Sequence, residues 1–278
     1  MTQLPEVEVV RKDLEREVVG KRFKDVTVKT AALVARHRNR PEFAKALQGQ
    51  KIETVTRRGT VLLFGLDNAT TLVLSLGSGA TLTRETATEE AARNTQLIAT
   101  FTTGGALHYA DPAKDGEAFV VPTDELADLG ALTPSGIDPL AETFTWHSLG
   151  HELKSRDQPL KAMLVDESFI VGLGDLYSDE ILWAAGLSGG RRSGTLSSQE
   201  VRRLYRAILE VLYEAVKQGG AGEPDPDETD PFADRSEMGD YIRVYGRANF
   251  PCPRCRQPIQ FGKIDRKLES YFCAQCQT

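Results

Sequence analysis

Apolar residues recur at Val10, Leu14 and Val18 along residues 4 to 20, one helical face behind Pro5 in the first turn. Glu6 and Glu8 sit at the positive end of the dipole and Gly20 ends the run. From residue 23 the period shortens. FKDVTVK, KIETVTRRGTVLLFGL, TTLVLSL and QLIATF alternate or run apolar over short spans, divided by turn signals at Asp67-Asn68 and Gly104-Gly105, and predict strands from 23 to 123. A sheet with one apolar face must bury it, so a β-sandwich is expected. DELADLGALTPSGIDPL is a Gly/Pro-punctuated connection, after which, from about Phe144, the period becomes helical. Ser197 and Glu200 form a capping box that opens SQEVRRLYRAILEVLYEAVKQ, whose Val201, Leu204, Ile208, Leu212 and Ala215 share a face until Gly219-Gly220. In FIVGLGDLYSDEILWAAGL, Gly172 and Gly174 allow a tight turn between two helical segments. The pattern predicts an α+β protein: a β-sandwich domain with a leading helix over 1–135, a helical domain over 136–243, and a small C-terminal module over 244–278.

Composition narrows the class. The chain has 278 residues, 40% hydrophobic and 27% charged, ordinary for a soluble globule. No apolar run approaches the ~20 residues needed to span a bilayer, and no basic-then-apolar leader is visible, so no membrane partner and a cytoplasmic location are expected. The net charge of −6 is unevenly spread. From Gly219 to Asp240 eight acids face Arg235 alone, whereas from Tyr241 to Thr278 seven bases face two acids. The acidic loop over 219–240 has too little apolar content to order itself, and the basic tail beside it suits a polyanionic partner.

The strongest chemical signal is Cys252-x2-Cys255-x17-Cys273-x2-Cys276, which holds all four cysteines of the chain. Two such pairs can surround one Zn²⁺ with four thiolates, whereas a redox dithiol needs only one pair. Four protein ligands leave no open position, so such a zinc is structural. Weaker signals are the Gly172/Gly174 turn, whose backbone N–H groups at a helix start can face a phosphate, and RHRNR at 36–40, a solvated loop or a phosphate contact. His147 and His151, four apart, are either metal ligands or two surface polar residues.

The LPEVE start, the β-rich first half, GLGDLYSDEIL, QGG at 218–220, VYGR at 244–247 and the C-terminal four-cysteine finger resemble the formamidopyrimidine-DNA glycosylase and endonuclease VIII family, in order along the whole chain. The resemblance implies an N-terminal β-sandwich, a helix-two-turn-helix domain holding phosphates of double-stranded DNA, a zinc finger gripping the duplex, and a damaged base flipped into the cleft between domains. It also implies that the residue after Met1 is a proline whose amine attacks the sugar, followed by a proton-transferring glutamate. Thr2 and Gln3 stand at those two positions, and Glu6 is the nearest surviving carboxylate. A Thr2 α-amine remains a competent nucleophile, but the Gln3 amide cannot exchange protons near neutral pH.

Other positions depart from the family in the same direction. Thr60 takes the place of a strand lysine, Ser78 that of a methionine wedge, and Ala113 and Asp115 those of an arginine and a phenylalanine that fill the void of a flipped base. Asp175 replaces an asparagine of the Gly-rich turn, and Leu268 a finger arginine for which Arg266 or Lys267 would substitute. DNA contacts are thereby assigned to Arg36, Arg38, Thr60, Lys114, Gly174, Asp175, Tyr245, Arg247, Arg266 and Lys267. Three readings stand open: a diverged DNA glycosylase or abasic-site lyase using the Thr2 amine, a non-catalytic binder of damaged DNA, and a protein-interaction module using the acidic loop. Each is expected to be a monomer, and the DNA-binding readings imply a bacterial, nucleoid-associated protein.

Overall fold

The computed structural model describes residues 3–86, 91–132, 136–220, 241–264 and 268–278. The chain divides into two compact units, Met1–Thr133 and Pro134–Thr278.

In the first unit, helix α1 (Leu4–Val18) follows Gln3 as N-cap, with Pro5 in its first turn, and ends before Gly20, whose φ is +84°. Among the described residues, eight strands then form two antiparallel four-stranded sheets. One has the order β1 (Phe23–Val28), β6 (Thr95–Phe101), β7 (Ala106–Ala110), β5 (Thr81–Glu85). The other has the order β2 (Ile52–Arg58), β3 (Val61–Leu66), β4 (Thr70–Ser75), β8 (Glu117–Pro122). The stretch KIETVTRRGTVLLFGL is therefore a hairpin, folded at Gly59-Thr60 so that Arg57 pairs with Leu62 and Val55 with Phe64. The apolar stripe of α1, Val7, Leu14 and Val18, is buried with Phe23, Ile52, Phe64 and Leu74 in one core. A short helix α2 (Arg40–Leu47), capped by Asn39, adds Phe43 and Leu47 to it.

An ion network fixes α1 on β2. Glu8 accepts hydrogen bonds from Arg57 Nε at 2.6 Å and from Arg11 Nη2 at 2.9 Å. Burial pushes the Glu8 carboxyl up, but the bonds from Arg11 and Arg57 outweigh it and hold the pKa below the ordinary value.

Among its described residues the second unit has four α-helices, α3 (Trp146–Arg156), α4 (Leu160–Leu164), α5 (Gly174–Ala185) and α6 (Ser198–Lys217), then a hairpin of β9 (Gln260–Lys263) and β10 (Glu269–Phe272). Its core joins Leu149 and Leu153 of α3, Tyr177 and Ile181 of α5, and Leu204, Ile208 and Leu212 of α6. The capping box of α6 is formed: Ser197 N–H and hydroxyl both donate to Glu200 Oε2 at 2.8 Å. Arg191 adds a forked pair to the same carboxylate at 2.6 and 3.0 Å. The Ser197 N–H, then Arg191, then the Ser197 hydroxyl lower the Glu200 pKa from 4.5 to about 2. A depressed carboxyl pKa stabilises the fold fully above pH 4.5, and that contribution is lost as pH falls towards about 2. Glu200→Gln is thus expected to lower the melting temperature above pH 4.5 and to lose its effect near pH 2, which thermal unfolding across that range measures.

Candidate nucleic-acid interface and metal centre

Helix α5 is buried on nearly every side, so charges within it must find partners in the protein. Asp179 is 1% exposed, and its Oδ1 accepts from Lys161 Nζ at 2.7 Å and from Ser270 Oγ at 2.7 Å. Its Oδ2 accepts from Tyr271 N–H at 2.8 Å, which ties β10 to the helix. Burial pushes the Asp179 carboxyl up against the pull of Lys161 and these donors. Glu180, next along the chain, accepts from the backbone N–H groups of Arg243, Val244 and Tyr245 at 2.8–2.9 Å and so shapes the VYGR turn. Burial raises its pKa as well, against those three donors.

Lys161 is the opposite pole of this arrangement. It is fully buried, and its Nζ donates to Asp175 O, Ser178 Oγ and Asp179 Oδ1 and lies 3.1 Å from Asp175 Oδ1. The charge of Asp175 at the Gly-rich turn is therefore partly compensated from within. Losing one partner of a buried pair costs about 3–5 kcal/mol, whereas replacing both by apolar groups costs far less. Lys161→Met is expected to fall in that range in urea unfolding, and Lys161→Met/Asp179→Leu to recover part of the loss.

The turn preceding α5 is the GLGD sequence. Gly172 and Gly174 have φ of +70° and +57°, values that L side chains rarely adopt. The Gly172 N–H donates to the Glu167 carboxylate at 3.1 Å, so an internal anion already sits at the turn. Asp175, Tyr245, Leu268, Glu269 and Tyr271 line a hollow of about 270 Å³ beside it. The Tyr245 ring meets Tyr271 edge-on at 5.1 Å. Arg247 Nη1 donates to Ile242 O at 3.3 Å, and its guanidinium lies 5.7 Å from the Phe250 ring. Arg266 and Lys267 lie outside the described residues, as does most of the acidic loop.

The four cysteines converge. The Sγ atoms of Cys252, Cys255, Cys273 and Cys276 all lie within 4.8 Å of one another, the one group among the described residues gathered closely enough to hold a metal ion. An all-thiolate set of this size suits a tetrahedral soft-ligand centre. Helix α5 reaches this centre too: Trp183 Nε1 donates to Cys252 Sγ at 3.5 Å, and Arg254 stacks on the Trp183 ring at 4.0 Å. His147 and His151 are exposed on α3, away from any such cluster among the described residues.

In the first unit, the loops carrying Ser78 and Asp115 are bonded to each other. Ser78 N–H donates to Asp115 Oδ1 and Ser78 Oγ to Oδ2, both at 2.7 Å, and these bonds hold the Asp115 carboxyl below its usual range. Beneath them Gly77 N–H donates to the Tyr109 hydroxyl at 3.1 Å, which donates to Asp111 Oδ2 at 3.2 Å. Asp111 also accepts from the N–H groups of Lys114 and Gly116 at 2.8 and 2.9 Å. Burial pushes the Tyr109 phenol up, which keeps it a donor. A side chain at Gly77 would strike both Asp111 and Asp115, so glycine is required for the approach.

The remaining predicted site residues are dispersed. Arg36 forms a forked ion pair with Glu117 at 2.7 and 2.9 Å and lies 3.8 Å from the Phe119 ring. The Arg38 N–H donates to Glu42 at 2.7 Å. Thr60 is in the β2–β3 turn, and Lys114 is exposed at φ +59°. Gln3 caps α1 through its carbonyl, which accepts from Val7 N–H at 3.2 Å, and Glu6 Oε2 is shielded from solvent in the first turn. Thr2 lies outside the described residues.

Fold and site define a class: a two-unit protein in which a sheet-rich unit precedes a helical unit that ends in a four-cysteine finger. Comparison with known proteins makes this specific. The family described as formamidopyrimidine-DNA glycosylase N-terminal domain matches residues 1–118, and the formamidopyrimidine-DNA glycosylase H2TH domain matches residues 135–225. The chain is 35% identical over 277 residues to the formamidopyrimidine-DNA glycosylase of Pelotomaculum thermopropionicum, covering 100% of this chain and 99% of the relative. It is 34% identical to that of Thermus thermophilus, with 100% and 98% covered. Among solved structures, the Lactococcus lactis Fpg in complex with DNA containing an abasic site superposes with a TM-score of 0.86 at 28% identity, with 99% of each chain covered. A complex of that enzyme with DNA containing N7-benzyl-Fapy-dG gives 0.85, also at 28% identity and 99% coverage of each chain. The chain belongs to the formamidopyrimidine-DNA glycosylase family.

Among the described residues, no helix is long and apolar enough to cross a membrane. Lys161, Asp179, Glu180 and Trp183 are the site residues that sequence reasoning missed. The signal was present in SDE, two adjacent acids within an otherwise apolar helix, which demands buried partners.

Proposed function

We propose that this protein acts as a monomer on double-stranded DNA bearing abasic or damaged nucleotides, cleaving abasic sites faster than it excises intact damaged bases. The Ser78–Asp115 clasp carries this reading. Flipping a stacked base costs about a few kcal/mol, which inserted side chains offset. Serine and aspartate are short, polar and bonded to each other here, so neither offers an apolar wedge. An abasic nucleotide has no base to extrude and needs little such help.

The chemistry runs through the amine of Thr2 once Met1 is removed. An α-amine with a pKa near ~8 is unprotonated far more often at pH 7 than a lysine near ~10.4. It attacks the aldehyde carbon of the ring-opened sugar, and loss of water leaves an imine. Protonation of the imine allows C2′ to lose a proton, and the electron pair left behind forms the C2′–C3′ double bond and expels the phosphate from C3′. Gln3 cannot move those protons, and Glu6, the nearest surviving carboxylate along the chain, is assigned to assist. Arg36, Arg38, Thr60, Lys114, Gly174, Asp175, Tyr245, Arg247, Arg266 and Lys267 form the DNA-contacting set. The metal is one structural Zn²⁺ held by Cys252, Cys255, Cys273 and Cys276, whose role is to fix the finger on α5.

A non-catalytic role in binding damaged DNA is the second reading, favoured by the amide at Gln3. Titrating abasic, oxidised-purine and undamaged duplexes, with cleavage read on the same samples, separates the two. Cleavage confined largely to the abasic duplex is expected. Lesion-selective binding without cleavage of any duplex would replace the lyase by the binder.

A further inference from the structure

The Gly-rich turn and the finger leave one strongly cationic face of the helical unit unused. On α3, His147, His151 and Lys154 occur at i, i+4 and i+7 and are all exposed. On α6, Arg202, Arg203 and Arg206 are exposed beside Gln199. The helices meet where Gly150 faces Val201, since a Cβ at Gly150 would lie 3.3 Å from Val201 Cγ1. Arg202 stacks on the Trp146 ring at 4.2 Å and so bridges the two rows of cations.

Two hollows flank that stack. One of about 270 Å³ is lined by Trp146, His147, His151, Lys154 and Ser198, and another of about 370 Å³ by Gln199 and the three arginines. Neither shares a residue with the hollow beside the GLGD turn. Ser198 is the first residue of a 20-residue helix, so the positive end of its dipole adds to the side-chain charges. Two acids of these helices are engaged elsewhere: Glu200 with Arg191, and Glu152 with Arg156 at 3.6 Å. Glu142, ahead of α3, and Glu210, four residues after Arg206 on α6, are exposed acids of the same segments.

We propose that the α3–α6 face is a second docking surface for the sugar-phosphate backbone of DNA, engaging duplex that flanks the lesion. This rests on the reading above that DNA is the partner. Residues four apart on a helix are about 6 Å apart along its axis, so Arg202 and Arg206 can reach neighbouring phosphates of one strand. Stacking on Trp146 holds the Arg202 fork in place, and planar guanidinium groups suit bidentate phosphate contacts.

The test uses the full-length protein, a 40-bp undamaged duplex and a 13-bp abasic duplex, with affinity measured against NaCl concentration. Each phosphate contact contributes about 0.9 to the slope of log affinity against log salt. Arg202→Glu/Arg206→Glu and the milder Arg202→Gln/Arg206→Gln are both expected to lower the slope on the 40-bp duplex by about 2. Binding of the 13-bp abasic duplex and its borohydride-trapped adduct should stay at wild-type levels. An unchanged slope on the long duplex overturns the proposal, as does equal weakening on both duplexes. So does displacement of the long duplex by polyglutamate at equal charge, which would assign the face to acidic proteins. Failure of the parent reading shows separately, as absence of any trapped adduct with wild-type protein.

Discussion

Replacing Gln3 by glutamate is expected to raise excision of an oxidised purine by about 10²-fold or more, the range that a positioned general acid or base supplies. Abasic-site cleavage should rise much less, since water can serve the proton transfers of an already open aldehyde. The two rates, measured under single-turnover conditions on matched duplexes, give the ratio directly. Thr2→Pro should act on the other step. A secondary amine yields an iminium that is cationic without further protonation, so elimination should speed up while excision changes little. Equal acceleration of both reactions by Gln3→Glu would mean that base removal and strand cleavage share one proton-limited step. The selective loss proposed here would then be wrong.

Removing the metal should have the largest structural effect. Binding of structural zinc is worth roughly 10–16 kcal/mol at neutral pH in small domains, so its loss is a folding event there. In this chain the hairpin of β9 and β10 has little core of its own, with Ile259, Cys252 and Cys273 buried against Trp183 and Val244. Cys273→Ala, or strong chelation, is expected to release residues 241–278 and leave the sheet-rich unit folded. The change should register in Trp183 fluorescence, because its indole N–H donates to Cys252 Sγ. Elemental analysis should find one zinc per chain. Freely reactive thiols in metal-free protein purified without chelator would rule the assignment out.

Much of the architecture was legible because it is written in local patterns. The α6 capping box needs only Ser197 and Glu200 in sequence, and VLLFGL and TTLVLS read as strands because they are short continuous apolar runs, paired in one sheet whose two faces feed two apolar clusters. The four-cysteine spacing announced a cluster that geometry then closed. What sequence could not supply was pairing between distant positions. Ser78 and Asp115 read as two separate losses of DNA-contacting side chains, yet they are each other's partners across 37 positions. Asp175 read only as the replacement of an asparagine in the Gly-rich turn, yet Lys161, buried fourteen residues earlier, stands against its charge. A buried lysine gives no periodic signal, since its position in PLKAML is indistinguishable from a surface residue of a short helix. Arg36 was singled out as a basic loop residue, whereas it is held by Glu117, 81 residues away.

The central claim is that the amine of Thr2 performs abasic-site chemistry, and the direct measurement locates the bond it forms. Mature protein is mixed with an abasic duplex and reduced with borohydride, and the product is digested and mapped by mass spectrometry. A reduced sugar adduct on the N-terminal peptide beginning at Thr2, abolished by N-terminal acetylation, is the expected result. Retention of Met1, an adduct on a lysine, or an adduct that forms equally well on acetylated protein would contradict it.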